Sequence, residues 1–306
     1  TIVLNIDRIQ EIIDKYEKIR KIKIHYIDVT DTSSITNLIL KYKPNEFYNL
    51  AAMSHVGISF FTGEATLNIN SLACYRILES IMKNHKSCKF YQASSSEMFG
   101  SSKPPQNEKT EFNPQSPYGV SKVAAFHTTK YFRQAHGLFA SNGILFNHES
   151  PRRGPTFVTK KIIQALVRIK NKKQKTLVLG NIYTTRDWGH AKDYVASMWK
   201  ILQYKKPDDW VIATNKENTV KNFLNATAKK LSIDIIWKGS GIKEKGIDRK
   251  SGRTIVDIDP KYFRPSEVDF LKGSYSKAKK YLKWKPSIST NELIEDMIKY
   301  ELSKID

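Results

Sequence analysis

The chain of 306 residues is long enough for one large or two modest domains with a real core, and its 40% hydrophobic and 11% aromatic content excludes a disordered polypeptide. No apolar run approaches the roughly 20 residues that span a bilayer, and the opening Thr1-Ile-Val-Leu-Asn-Ile-Asp-Arg8 meets charge too early for a secretory signal, so a cytoplasmic location and no membrane partner are expected. The two cysteines have no metal-ligand spacing, so no metal is expected, and the net charge of +21 lies in scattered lysine clusters without interleaved aromatics, which argues against nucleic acid and suits a phosphorylated small substrate.

Residues 22–27 alternate as a strand and end in Asp28-Val-Thr-Asp31, where Asp31 can cap the next helix. That helix carries Ile35, Leu38, Ile39 and Tyr42 at helical spacing and stops before Pro44. Residues 46–52 read as a second strand. A long helical pattern through Ile69, Leu72, Ile77, Leu78 and Ile81 follows, and residues 90–93 form a third strand. Ser116-Pro117 opens a helix that runs to about His136, and residues 139–146 give a fourth strand. Such alternation predicts an α/β fold with a parallel, doubly wound sheet. From Pro151 the pattern changes to helix 157–170, strand 177–179, helix 190–203, strand 210–213 and helix 219–231, a smaller second lobe interleaved with the first. Gly239-Ser-Gly241 and Gly246 are not spaced as G-x-G-x-x-G and read as a loop of that lobe.

The segment richest in chemistry is Tyr118-Gly-Val-Ser-Lys122, preceded by Gln92-Ala-Ser-Ser-Ser-Glu97-Met-Phe-Gly100. A tyrosine and a lysine at i and i+4 share one helix face. The ammonium is therefore expected beneath the phenol, where it would favour the phenolate and make the tyrosine a usable base. The apolar run Lys89-Phe-Tyr-Gln-Ala93 feeds small hydroxyl residues and an acid, as a buried strand does when it opens into a site at its C-terminal end. A hydroxyl, a carboxylate and a phenol together point to carbonyl and enol chemistry on an alcohol.

With these residues go Tyr48-Asn-Leu-Ala-Ala-Met-Ser-His55, Asn142-Gly-Ile-Leu-Phe-Asn-His-Glu-Ser-Pro-Arg-Arg-Gly154, Arg186-Asp-Trp-Gly-His-Ala-Lys-Asp-Tyr194 and Tyr262-Phe-Arg-Pro-Ser-Glu-Val268. Across nearly all of its length the chain resembles the GDP-mannose 4,6-dehydratase family of extended short-chain dehydrogenases/reductases. The resemblance implies a Rossmann-like sheet lacking the first β-α-β unit. It assigns 1–150 and 181–215 to an incomplete dinucleotide-binding domain, and 151–180 and 216–306 to a nucleotide-sugar lobe. It implies NADP as cofactor and GDP-mannose as substrate, with Tyr118 deprotonating the sugar 4-hydroxyl, Lys122 holding the tyrosine and the nicotinamide ribose, Glu97 removing the C5 proton and Ser95 assisting at the carbonyl. Asp28, Val29, Leu50, Ala51, Ala52, Ser54, His148 and Arg153 resemble the family's cofactor contacts. Asn147, Lys161, Arg186, Arg264 and Glu267 fall at positions tied to the nucleotide-sugar, where arginine forks suit a diphosphate. The helices near 67–83 and 118–136 are those through which relatives pair, so a homodimer or homotetramer is implied.

Three departures from the family stand out. The chain begins beyond the family's first strand, glycine-rich turn, first helix and second strand, the region that receives the pyrophosphate, and weakened NADP binding is expected. Ser95 stands where the family has threonine, and Ala65 where it usually has tyrosine. Two other readings remain open at this point: a nucleotide-sugar 4-epimerase, which needs no C5 base, and a non-catalytic remnant that binds GDP-sugar or a homologous subunit.

Overall fold

The computed structural model describes residues 10–17, 19 and 21–305. In chain order the elements are α1 (Gln10–Glu17), α2 (Thr32–Tyr42), β1 (Glu46–Asn49), α3 (Val56–Ser59), α4 (Gly63–Leu67), α5 (Ala73–Asn84), β2 (Lys89–Ser95), α6 (Pro117–His136), β3 (Ala140–Leu145), β4 (Asn147–Glu149), α7 (Val158–Lys170), β5 (Leu177–Leu179), β6 (Thr185–Arg186) and β7 (Trp188–His190). There follow α8 (Ala191–Gln203), β8 (Asp209–Ile212), β9 (Asn218–Thr219), α9 (Val220–Lys230), β10 (Ile235–Lys238), β11 (Lys245–Asp248), β12 (Thr254–Ile258) and α10 (Thr290–Leu302).

β1, β2, β3 and β8 form a sheet in that spatial order, parallel throughout. Parallel strands are covered on both faces, and adjacent residues of β2 accordingly serve different cores. Phe90 packs with Ile39, Ile77, Leu78 and Phe132 beneath α2, α5 and α6, whereas Tyr91 packs with Tyr194, Ile201, Trp210 and Trp284 beneath α8 and the 278–284 segment. The doubly wound prediction holds. A second sheet runs β10-β11-β12-β5 and is antiparallel except for the β12–β5 pair. Its core is Leu166, Phe223, Leu224, Val256, Leu293 and Met297, supplied in part by α7, α9 and α10.

Two sequence expectations fail. Residues 22–27 form no strand, because a strand needs a neighbour for its backbone groups and no described element pairs with them. The helical phase expected from Ile69 and Leu72 breaks at a π-helical turn, Asn68–Leu72, between α4 and α5. The wider turn rotates the face, burying Asn70 and Ser71 and leaving Leu72 52% exposed. Elsewhere the strand expected over 46–52 ends at Asn49, and of the three glycines read as loop Gly239 and Gly241 lie in the β10–β11 connection while Gly246 lies on β11, paired with Trp237; Asp31 caps α2 by accepting from the Ser33 N–H, and α6 starts at Pro117 and ends at His136.

Candidate active site

The C-terminal ends of β2 and β3 open into a cleft of about 980 Å³, closed on the far side by α7, the Leu179–Asn181 turn and residues 261–267. Ser95, Glu97, Tyr118, Lys122, Leu50, Ala52, Ser54, Asn147, His148, Arg153, Lys161, Arg186, Arg264 and Glu267 all line it. Asp28, Val29 and Ala51 do not. The Asp28 carboxylate is turned into its own loop, accepting from the backbone and hydroxyl of Thr30 at 2.8 Å. Ala51 lies between two cleft residues just beyond the end of β1 and is itself exposed outside the cleft.

The first wall is built by two helix starts. Ser116 caps α6 by accepting the Gly119 N–H at 3.0 Å, which fixes the first turn and with it Tyr118. Gly119 is needed for space, since a Cβ there would sit 2.9 Å from the carbonyl oxygen of Glu97. Ser95 ends β2, and its hydroxyl accepts the Glu97 N–H at 3.2 Å, holding Glu97 in a tight turn with its side chain buried at the cleft. Tyr118 and Lys122 are both buried. The Lys122 ammonium lies over the face of the Tyr118 ring, as expected, but its hydrogen bond goes elsewhere. It donates to the Ala93 carbonyl at 2.9 Å and stands 5.8 Å from the Tyr118 ring centre. Burial pushes the Tyr118 phenol up to about 12, opposed by its hydrogen bond with Ser95, raised further by Glu97 and lowered by Arg153. Burial also brings the Lys122 ammonium down to about 8. For both groups burial is the largest cause of the shift.

His148 lies on β4, its Nδ1 2.9 Å from the Phe146 carbonyl and its ring stacked on Tyr194 at 4.9 Å. A carbonyl only accepts, so Nδ1 carries the proton and Nε2 is left as an acceptor. Burial lowers this histidine to about 4, keeping it neutral. Arg153 pairs with buried Glu149 at 3.1 Å and lies over the Phe157 ring at 3.6 Å. Asn147 has a buried Oδ1 with no partner among the described residues.

The opposite wall is cationic. Arg186, buried on β6, donates to Val268 O at 2.7 Å and Thr185 O at 3.0 Å and pairs with Glu267 at 3.2 Å; burial lowers its pKa. Arg264 reaches Glu267 at 3.4 Å and Glu97 at 3.9 Å, and so bridges the two walls. Lys161 lies 4.2 Å from the Tyr262 ring centre, its ammonium disfavoured by burial and by Lys261.

Sequence reasoning missed His55, Phe157 and Tyr262 as lining residues. It also missed Asn70, which accepts the Met53 N–H at 2.8 Å and donates to Ser121 Oγ at 2.9 Å, while Ser121 donates to Tyr118 O at 2.7 Å. That chain of bonds ties the 50–55 segment to the Tyr118 helix. The only signal was a polar residue amid an apolar helical pattern, and the π-helical turn that turns it inward is not legible in sequence.

A parallel doubly wound sheet that presents a Tyr-x-x-x-Lys helix to a cleft closed by helix and loop segments of a second lobe is the architecture of the extended short-chain dehydrogenases/reductases. RMD from Pseudomonas aeruginosa complexed with NADPH superposes at a TM-score of 0.79 over 92% of this chain and 89% of that one, with 21% identity. UDP-glucose 4-epimerase from Thermotoga maritima with UDP-glucose gives 0.80 over 94% and 86%, with 20% identity. At these identities the likeness is one of fold. Sequence resolves the family: the family model described as GDP-mannose 4,6 dehydratase matches residues 2–297, and the chain belongs to that family. GDP-mannose 4,6 dehydratase of Drosophila melanogaster is 45% identical over 291 residues, 94% of this chain and 74% of that protein. GDP-mannose 4,6 dehydratase 1 of Arabidopsis thaliana is 48% identical over 284 residues, 92% and 74%.

Proposed function

We propose that this chain converts GDP-mannose to GDP-4-dehydro-6-deoxy-mannose with NADP as cofactor. The observation that carries the reading is the buried Glu97 carboxylate in one cleft with Tyr118, Lys122 and Ser95, because an acid there serves proton removal at C5 and has no use in simple C4 oxidation. The residues fit a nicotinamide dinucleotide: Leu50, Ala52 and Ser54 form an apolar and hydroxyl floor, His148 offers a neutral acceptor, Arg153 offers a cation, and Lys122 lies beside Tyr118. When bound, the nicotinamide would supply the hydride acceptor at C4 and the return of that hydride to C6, so the reaction would have no net redox change.

Tyr118 takes the proton of the 4-hydroxyl, helped by the Ser95 hydrogen bond and the Arg153 charge that lower its phenol. The 4-keto group acidifies the C5 proton, and Glu97 removes it and passes it to the C6 hydroxyl, which leaves as water. Ser95 donates to the developing oxygen charge, and as C6 is reduced C5 takes up a proton that balances the one Tyr118 accepted from the 4-hydroxyl and gives up. Arg186 and Arg264 grip the diphosphate in paired hydrogen bonds, with Asn147, Lys161 and Glu267 completing the nucleotide-sugar wall.

Within this reading, 1–150 and 181–215 hold the cofactor, while 151–180 and 216–306 hold the nucleotide-sugar. The protein acts in the cytoplasm as a homodimer or homotetramer paired through the helical segment 67–83 and α6, whose surfaces carry exposed Leu72, Tyr75, Val120 and Tyr131. Incubation with GDP-mannose and NADP followed by mass spectrometry tests the chemistry. A nucleotide sugar lighter by one water and bearing a 4-keto group is the expected product. An unchanged sugar, or one epimerised at C4 without loss of water, overturns the reading.

A further inference from the structure

Arg153, the cation on the cofactor side of the cleft, lies in no helix or strand but in the turn between β4 and α7, where its N–H donates to Ser150 O at 3.0 Å. A long side chain carried on a turn is not placed by its backbone alone. Two contacts place this one: its Nε lies 3.1 Å from Oε2 of Glu149, and its guanidinium lies over the Phe157 ring, 3.6 Å from the centre. The same Glu149 oxygen accepts the Thr159 hydroxyl at 2.7 Å, so the first turn of α7 aims the carboxylate. Its backbone is fixed by β4, which pairs with β7 and sets Glu149 opposite His190. The two terminal nitrogens of Arg153 have no hydrogen-bond partner among the described residues. Its charge reaches the neighbouring groups: beyond the larger effect of burial, it lowers the Tyr118 phenol and disfavours the protonated forms of His148 and His55.

We infer that Glu149 is a positioning residue: it holds Arg153 with both terminal nitrogens free to grip an anionic oxygen of the cofactor, a conclusion that rests on the reading of the cleft given above. At 2% exposure the carboxylate offers a ligand almost no surface, so it acts through the arginine. Burial raises its pKa, with the Arg153 charge and the Thr159 hydroxyl opposing the rise. A buried ion pair adds little net stability against such desolvation, whereas a two-pronged arginine contact depends on a fixed orientation. Pairing also offsets the charge of Arg153, so what the arginine gains from Glu149 is direction. The sign of the effect is therefore diagnostic. Glu149→Gln adds one net positive charge beside the seat of a polyanion and by Coulomb attraction alone would tighten binding; by loss of placement it weakens it.

The test is calorimetric titration of the 306-residue chain with NADP and, separately, with GDP, repeated for Glu149→Gln, Arg153→Ala, the double variant and Thr159→Val. Glu149→Gln is expected to weaken NADP about tenfold, the worth of one hydrogen bond to a charged group, and the double variant to bind it no more weakly than Arg153→Ala alone, because both substitutions remove the same contact. GDP affinity is expected to stay at the parent value throughout. Thr159→Val keeps the carboxylate and removes only the hydroxyl that aims it, so a smaller loss for NADP is expected there; it carries the test should Glu149→Gln fail to melt cooperatively. Tighter NADP binding in Glu149→Gln, losses that add in the double variant, equal weakening of NADP and GDP, or a parent chain that binds no NADP each overturn the inference. Because binding needs no turnover, coupled weakening in a chain that releases no 4-keto product sinks the proposed reaction and leaves this inference standing. Product formation with additive losses does the reverse.

Discussion

Glu97 and Tyr118 face one cleft from two neighbouring elements, and each sets a measurable behaviour. Glu97→Gln keeps the shape of the side chain and removes its ability to accept a proton. Product formation is expected to fall by about 10²–10⁴-fold, the usual worth of general base catalysis, while GDP binding measured by calorimetry stays close to that of the parent. Lys122 supplies a second readout. Its ammonium, lowered to about 8 by burial, is charged below that pH and neutral above it. If the charge is what holds the tyrosine and ribose, kcat/KM, which reports the free enzyme, should fall as pH rises through about 8; a profile flat to pH 9.5 would show that the charge is not used. His148 acts on stability instead. Held at about 4 in the folded chain against an ordinary 6.5, it binds its proton in the unfolded state first. Folding stability is thus untouched above about 6.5 and lost as pH falls toward 4, by about 3 kcal/mol in total. In His148→Gln, denaturant unfolding should show a shallower loss across that window than in the parent.

At the scale of elements, the placing of the cleft walls depends on contacts between segments far apart in sequence. Lys160 on α7 is buried, donates to Pro151 O at 2.6 Å, lies 4.8 Å from the Tyr300 ring centre and pairs with buried Glu301 on α10. One ion pair thereby fixes both the last helix and the loop that carries Arg153. Removing a single partner leaves an uncompensated buried charge, so Glu301→Gln is expected to cost about 3–5 kcal/mol in urea unfolding. The double replacement Lys160→Met with Glu301→Leu should recover most of that loss while leaving Arg153 less well held, read as a raised KM for the cofactor. Asn70 shows why such dependencies escape a linear reading. Its neighbours suggest an ordinary amphipathic helix, yet the π-helical turn at Asn68–Leu72 turns it toward Met53 and Ser121. The failed strand at 22–27 has the same origin: alternation marks which residues can lie on a face, but pairing needs a neighbour that composition does not reveal.

For the molecule as a whole, the net charge of +21 is the term that acts at a distance. Few of these cations line the cleft, so the excess serves to draw an anionic nucleotide toward it more than to grip it there. Surface charge is screened within about 8–10 Å at ordinary ionic strength. The association rate for GDP-mannose, followed by stopped flow, should therefore drop steeply between 50 mM and 500 mM salt, with the dissociation rate changing little; equal changes in both would place the effect in the site itself. The sequence by itself determined the alternating elements, the doubly wound parallel sheet, the family and most of the residues that reach the cleft, because period, capping and local motif are written in near neighbours. Tyr118, Lys122, Ser95 and Glu97 were legible for that reason. Only the tertiary structure decided that Lys122 turns to the Ala93 carbonyl, that Arg264 spans from Glu267 to Glu97, that Asp28 and Val29 stay outside, and that a recess opens behind Lys161. Each of those depends on how desolvation balances attraction once distant segments are packed together, and that balance is a property of three-dimensional burial.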